Sequence, residues 1–477
     1  MVLDSRVFTL TDQNAFAELS GDFNPMHVDP ERARRTLFGF PVVHGVHGVL
    51  WALDCLLRGR SAPVAIAGIR AKFHNPIPLD TLTTVSLLEE DQDGCSLSIG
   101  VNGEQATLMH ASFTRDIPAG AVANACQPYR RTCAELDSTQ AGAAAGILSL
   151  AVDEELLHKI LPVLSQCLPA IQIAELLATT RLVGMECPGL HSLYLSLNLI
   201  SRETPEPGAG LAFLVKRSIP KLGSVELEVT GPTMQGVLAT IVRPRPQPQP
   251  SMDDVQAAIS AGSLAAQRAV VVGGSRGIGE VTAKCIAAGG GSVVITYLQG
   301  KDDADRVVDE ITRAGGSAAA VRVDCTQLSP ETDRQLAVFG APSHLYYFAT
   351  PRIPVNKMYA FQSAVYRDLS RYYVEAFAEL VERLYRRGES LTVMYPSTIF
   401  LDEPKAGTGE YCAAKAAGEA LCRHLQKALP KTRFHTPRLP RMRTDQTSGI
   451  IPGRSLEALD VIAGILKRIE DGSELAV

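Results

Sequence analysis

A chain of 477 residues is too long for one hydrophobic core and calls for two to four domains. Its 46% hydrophobic and 20% charged residues are those of an ordinary soluble globular protein, and a net charge of −5 gives no reason to expect nucleic acid as a partner. Ten scattered cysteines without a CxxC pair argue against a metal centre or a disulfide framework, and the absence of a signal-like start or a long apolar run points to a cytoplasmic protein without membrane association.

The first informative stretch, FAELSGDFNPMHVDPERA (residues 16–33), packs a carboxylate, an amide, a proline and an imidazole into one turn. Asp22 and His27 are five apart, a spacing that a regular helix would not bring side by side. Pro25 breaks the helix and lets the loop turn both side chains to one point, where they can share a water and move its protons. Phe16, Leu19-Ser20-Gly21-Asp22, Asn24-Pro25, His27 and Ala33 together resemble the hydratase signature of MaoC-like, (R)-specific enoyl-thioester hydratases. The resemblance implies a hot-dog fold, a helix wrapped by a sheet, with Asp22 and His27 as the catalytic pair and Asn24 holding the loop. Next, His44-Gly45 opens a segment with apolar residues at helical spacing (Val46, Val49, Leu50, Leu53, Leu56, Leu57). Free N–H groups at such a start favour partial negative charge, and the resemblance gives Gly45 the role of polarising the thioester carbonyl. His44 is read as structural. Four strand-like runs follow between residues 64 and 114.

Residues 120–145 are small and polar and read as a connection. Beyond them, LSLAVDEELLHKILPVL and AIQIAELLATTRLVG read as helices and four later segments as strands, a weak repeat of the first half. Double hot-dog hydratases have two such halves with one catalytic loop, so the second half is expected to wall the acyl pocket. Asp153 and His158 repeat the five-residue spacing, but on a plausible helix that turns them apart. RPRPQPQPSM (243–252) then reads as a semi-rigid polyproline spacer. The expected domains are a catalytic hot-dog over 1–125, a non-catalytic half over 145–243, a linker over 244–262 and a final domain over 263–477.

RAVVVGGSRGIGEVTAKCIAAGG reads as strand, glycine-rich turn and helix, with Gly273, Gly277 and Gly279 permitting close approach of a pyrophosphate. The GxxxGxG spacing and the run Ser275-Arg276-Gly277-Ile278-Gly279 resemble the ketoacyl reductases among short-chain dehydrogenases/reductases. That resemblance implies a Rossmann-type doubly wound parallel sheet. The second strand ends Thr296-Tyr297-Leu298-Gln299 without a carboxylate, and Arg276 offers a cation for a 2′-phosphate, so NADPH is favoured over NADH. By resemblance Asp324 contacts the adenine. Tyr411 and Lys415 share one helix face, where the lysine can lower the phenol pKa, and Ser397 can hydrogen-bond the same substrate oxygen. Departures from the family pattern include Val272 before the first glycine, Tyr347-Phe348-Ala349-Thr350 after the fourth strand, Pro440-Arg441 after the sixth, and Asp368 where an asparagine normally serves a catalytic water chain. Residues 427–443 carry six Lys/Arg and no acid, so Arg438 and Arg441 are candidates for meeting an acyl carrier's phosphates or an acidic carrier protein.

The expected fold is an α+β double hot-dog followed by an α/β Rossmann-type sheet. The expected activity is bifunctional: NADPH-dependent reduction of 3-oxoacyl thioesters to (R)-3-hydroxyacyl thioesters and their dehydration to 2-enoyl thioesters, in fatty-acid or polyketide processing. The substrate would be a thioester of CoA or acyl carrier protein, and the protein a homo-oligomer. The alternatives are a β-oxidation module running the other way, a hydratase with an inactive reductase as scaffold, and a non-catalytic acyl-thioester binding protein.

Overall fold

Thr9 starts the first helix, α1 (Leu10–Ser20), through a capping box in which its hydroxyl accepts from the Asp12 N–H and the Asp12 carboxylate accepts from the Thr9 N–H. Gly21 ends it with φ +77°, and a Cβ there would come within 2.8 Å of Arg181 and Tyr129. The computed structural model describes all residues except 37, 60–61, 119–122, 125–128, 205–209, 352, 354–360, 387–389, 446, 448–452 and 473–477. The chain divides into two units between Arg245 and Pro246.

In the first unit, ten strands form one antiparallel sheet: β1 (Val2–Val7), β2 (Ala65–Phe73), β3 (Leu82–Glu90), β4 (Cys95–Val101), β5 (Glu104–Thr114), β6 (Ala145–Ser149), β7 (Ser192–Ser201), β8 (Gly210–Ile219), β9 (Ser224–Thr230) and β10 (Met234–Val242). Their order is β1-β3-β4-β5-β2-β7-β10-β9-β8-β6. Read inward from either edge, each half follows the same sequence of first, third, fourth, fifth and second strand, so the weak repeat is a duplicated hot-dog. The halves join where β2 pairs with β7, from Gly68↔Ile200 to Lys72↔Ser196. Each half wraps a helix, α2 (Gly45–Leu57) in the first and α3 (Ala170–Arg181) in the second, and α2 is buried all round from Val46 onward. Each fully buried aliphatic side chain of α2 contributes roughly 1.5–3 kcal/mol, so this helix anchors whatever is mounted at its start. One expected helix begins late: residues 145–149 are β6, and the helix starts only at Glu154, capped by Asp153. That carboxylate is spent on the Leu156 N–H while His158 is exposed, so the repeated spacing builds no second site.

The second unit is a parallel sheet of β11 (Arg268–Val272), β12 (Ser292–Tyr297), β13 (Ser317–Arg322), β14 (His344–Tyr347), β15 (Leu391–Met394) and β16 (Thr432–His435), in the order β13-β12-β11-β14-β15-β16. This is the doubly wound Rossmann order. Two of its helices bear on function, α4 (Gly277–Ala288) and α5 (Gly409–Ala428). The proline-rich segment is not a free spacer. From residue 247 it is fastened to this unit: the Gln247 N–H donates to Asp445 (2.7 Å), Lys284 Nζ donates to the Pro250 carbonyl (2.9 Å), and the Met252 N–H donates to Glu310 (3.0 Å). Lys284 is itself buried between Glu280 and Glu310, with Arg306 forked onto Glu280. No helix among the described residues is long and apolar enough to cross a membrane.

Candidate active sites

After Gly21 the chain turns inward, and Asp22, Asn24 and His27 are all buried. One Asp22 oxygen accepts from the Asn24 N–H (3.1 Å), the other from the Thr180 hydroxyl of α3 (2.7 Å). Asn24 Oδ1 accepts from the Met26 N–H and so starts the short helix Pro25–Val28 that carries His27. Its Nδ2 donates to the carbonyls of Gly184, Gly189 and Leu190 (3.0, 3.3 and 3.3 Å), which ties the loop to the second half. His27 Nδ1 donates to the Val42 carbonyl (2.8 Å), so a neutral ring keeps its lone pair on Nε2. Its ring stacks on His44, centroids 3.8 Å apart, and ligand-type atoms of Asp22, His27 and His44 all lie within 4.8 Å of one another. The distances alone would admit a metal ion, but both ring nitrogens of His44 are engaged by carbonyl oxygens of Gln13 and Asp22.

Burial pushes the Asp22 carboxyl above the ordinary range, partly offset by His27 and the Thr180 hydrogen bond. Burial likewise lowers His27, against the opposing pull of Asp22. His44 is a strut, bonded to Gln13 Oε1 (2.9 Å) and to the Asp22 main-chain carbonyl (3.0 Å). It is also the N-cap of α2 but makes no side-chain capping bond, so the first amides of the helix, from Gly45, are left for another partner. A Cβ on Gly45 would meet the Phe73 ring at 2.8 Å. Two contributors lie far along the chain. Thr180 holds Asp22, and a Cβ at Gly184 would overlap Asp22 Oδ1 at 2.2 Å. Nothing in the sequence marked either, because both belong to the half without the motif.

In the second unit, Gly273 and Gly277 have φ +77° and +59°, and a Cβ at Gly279 would lie 2.3 Å from the Gly273 carbonyl oxygen. Ser275 is buried and Ile278 half-buried beside them. The turn thus leaves backbone N–H groups at the start of α4, whose N-cap Arg276 makes no side-chain cap. A dinucleotide's pyrophosphate fits this cradle. Arg276 lies 4.0 Å from Asp445. Tyr297 closes β12, half-buried, and Asp324 accepts from the N–H and hydroxyl of Thr326 (2.9 and 2.7 Å), shaping the turn after β13.

Lys415 Nζ donates to the Pro396 carbonyl (2.7 Å) and sits over the rings of Tyr373 (4.0 Å) and Tyr395 (4.9 Å). Burial brings its pKa down to about 7. Tyr411 meets Tyr373 edge-on at 5.8 Å. Its phenol is pushed up by burial and pulled down by a hydrogen bond with the Thr398 side chain, and Lys415 is not what sets it. Several sequence expectations change here. Ser397 does not face Tyr411: its hydroxyl donates to Glu419 (2.5 Å), which Arg438 grips through Nε and Nη2 (2.9 and 2.8 Å). Ser397 and Thr398 are neighbours on an extended strand and must point to opposite sides, so only Thr398 faces the tyrosine. Asp368 is exposed on the helix Ser363–Ser370 whereas Lys415 is buried, and the side chains at the ammonium are Tyr373 and Tyr395. Arg438 and Arg441 are also committed internally, Arg438 to Glu419 and Asp402 and Arg441 to the Thr447 carbonyl, so neither is a free cation for a carrier.

Comparison with known proteins follows the same division. Residues 3–108 match the MaoC like domain and residues 267–337 match the short chain dehydrogenase family. A 62-residue segment is 50% identical to a 3-oxoacyl-[acyl-carrier-protein] reductase of Synechocystis, covering 13% of this chain and 25% of the relative. A 59-residue segment is 51% identical to an uncharacterized oxidoreductase of Methylorubrum extorquens, covering 12% and 24%. The chain thus spans about a quarter of the length of these curated relatives. Among solved structures, a short chain dehydrogenase from Burkholderia cenocepacia in complex with NADP aligns at 24% identity and TM-score 0.39, covering 44% of this chain and 91% of that one. A putative short chain dehydrogenase from Pseudomonas syringae aligns at 22% identity and TM-score 0.40, covering 44% and 90%. The chain is a fusion of an N-terminal MaoC-like hot-dog domain with a C-terminal short-chain dehydrogenase domain.

Proposed function

We propose that the protein is a bifunctional acyl-thioester enzyme that reduces 3-oxoacyl thioesters to (R)-3-hydroxyacyl thioesters with NADPH and dehydrates these to 2-enoyl thioesters. The observation that carries the reading is the enclosed pairing of Asp22 with His27, whose Nδ1 is occupied by Val42. In hydration, His27 Nε2 and Asp22 hold one water; the pair takes its proton as the oxygen bonds C3, and a proton is returned to C2. Dehydration is the reverse. Negative charge gathers on the thioester oxygen in the transition state, where the uncapped amide of Gly45 would receive it.

In the second unit, burial raises the Tyr411 phenol and keeps its proton in place, which suits an acid that gives that proton to a substrate carbonyl. Thr398 steadies the same oxygen, and Lys415 lies beneath beside Tyr373. A nicotinamide, when bound, supplies the hydride. The cradle of Gly273, Gly277 and Gly279 would hold its pyrophosphate, with Ser275 and Ile278 lining the turn and Asp324 toward the adenine. Arg276, with no acid at the end of β12, supports a 2′-phosphate, which would share that guanidinium with Asp445. The acyl carrier is CoA or a carrier protein.

Purified protein supplied with NADPH and a 3-oxoacyl thioester should yield both the alcohol and the enoyl product. Asp22→Asn should stop at the alcohol, and Tyr411→Phe should prevent reduction while still hydrating crotonyl thioester. Turnover unaffected by either change would show the reading to be wrong.

A further inference from the structure

Arg243, the residue after β10, is 4% exposed, yet two of its three guanidinium nitrogens, Nε and Nη1, have no hydrogen-bond partner. The third, Nη2, donates to the Leu190 carbonyl (2.9 Å). That same carbonyl accepts from Asn24 Nδ2 (3.3 Å), so the guanidinium and the catalytic loop meet on one oxygen. Packing around the loop continues in this direction. Met26, next to His27 in the chain, and Val42, whose carbonyl accepts from His27 Nδ1, cluster with Leu193 of β7 and Ile241 of β10. Arg243 is close enough to His27 to disfavour its protonation, and it interacts with Cys133, which in turn feels Asp22.

No carboxylate among the described residues forms an ion pair with Arg243. Cys133 does not supply the anion, because burial holds its thiol up at about 12. The guanidinium, brought down to about 10, is still charged at neutral pH. Enclosing an unpaired cation costs several kcal/mol, and a neutral acceptor would satisfy its N–H groups without cancelling the charge. An anionic group completes the site. A nucleotide phosphate comes with bulk that does not suit so enclosed a position, whereas a carboxylate on an acyl chain does.

We infer that Arg243 is a specificity-determining residue of the hydratase site that pairs with a carboxylate on the acyl chain, so that the favoured thioesters are those of dicarboxylic acids. This rests on the hydratase reading above for its reaction, though not for its binding. Pent-2-enoyl and hex-2-enoyl thioesters should each be compared with the partner of equal length bearing a terminal carboxylate. Wild-type kcat/KM should favour the carboxylated member by about ten- to a hundredfold, the value of a hydrogen-bonded pair with a charged group. Arg243→Met should erase that ratio and Arg243→Lys should keep part of it. A wild type indifferent to the carboxylate, or an Arg243→Met variant that keeps the preference, overturns the inference, and the wild-type ratio decides even if the variant does not fold. If no enoyl thioester is turned over at all, the hydratase reading fails separately. Free glutarate and adipate then test Arg243 directly: a rise in wild-type Tm that Arg243→Met lacks upholds the anion site, and no rise in the wild type overturns it.

Discussion

The two candidate sites are put together in different ways. The Tyr411 site draws on a single helix, α5, and the segments laid against it: Tyr411, Lys415 and Glu419 follow one another at helical spacing, and Thr398 and Tyr373 come from neighbouring elements of the same unit. The Asp22 site is completed by residues about one hot-dog repeat away, with Thr180 and the Gly184 carbonyl closing on the loop from the second half. A half that carries no motif therefore helps to build the candidate site. The sharpest test of this difference is Gly184→Ala. Its Cβ would sit 2.2 Å from Asp22 Oδ1, against a carboxylate already fixed by two other hydrogen bonds, so the carboxylate has to move. Hydration of crotonyl thioester should fall by roughly 10²–10⁴-fold, the range lost with a misplaced general acid–base group. NADPH-dependent reduction, housed in a separate core, should persist. Hydration at the wild-type rate would mean that the second half only encloses the substrate.

A smaller effect tests the other side of the comparison. Because adjacent strand residues face opposite ways, Thr398 and Ser397 cannot both serve Tyr411. Thr398→Ala should lower the reductase kcat by about tenfold or more, the loss expected for one hydrogen bond to a reacting oxygen. Ser397→Ala should act chiefly on stability, costing about 1 kcal/mol as Glu419 loses a donor while keeping Arg438. The opposite pattern, a catalytic loss from Ser397 and a mere stability loss from Thr398, would return the role to Ser397.

What the sequence disclosed follows from how local each feature is. Asp22, Asn24 and His27 were readable because one turn holds them, and the glycines at 273, 277 and 279 because backbone geometry at that turn excludes side chains. The duplicated strand order was visible only as a faint repeat, since each half has different residues to bury. Three features had no sequence signal. Thr180 and Gly184 act across the junction of the halves and come near Asp22 only through the fold, as β2 pairs with β7 and α1 packs on α3. The choice between Ser397 and Thr398 depends on which face of a strand points at α5. Arg438 and Arg441 looked like surface cations because a run of positive residues shows no partners, whereas Glu419, Asp402 and Thr447 take them inward. Asp368 was misplaced for a related reason: the helix turns its side chain to solvent and leaves Tyr373 over Lys415.

The last expected effect is one of pH dependence, read in melts rather than in turnover. In the Asp22 site a carboxyl and an imidazole oppose each other's shifts, whereas Lys415 is a lone base enclosed by Tyr373, Tyr395 and the Pro396 carbonyl. Burial lowers it from 10.5 to about 7 in the folded chain. Below pH 7 folded and unfolded chains both carry the proton, and the wild type bears the whole cost of enclosing it. Between 7 and 10.5 the unfolded chain binds the proton and the folded chain has released it, so that cost declines as pH rises. Above 10.5 neither state is charged and the cost is gone. Lys415→Met has no proton to enclose at any pH, so its Tm advantage over the wild type should be greatest at neutral pH and below and should shrink steadily toward alkaline pH. Thermal melts of both proteins without cofactor across that range provide the measurement. A difference that stays constant with pH would mean that the cage of tyrosines and the Pro396 carbonyl hold the ammonium as well as water does, and that Lys415 enters the reaction as a fixed cation.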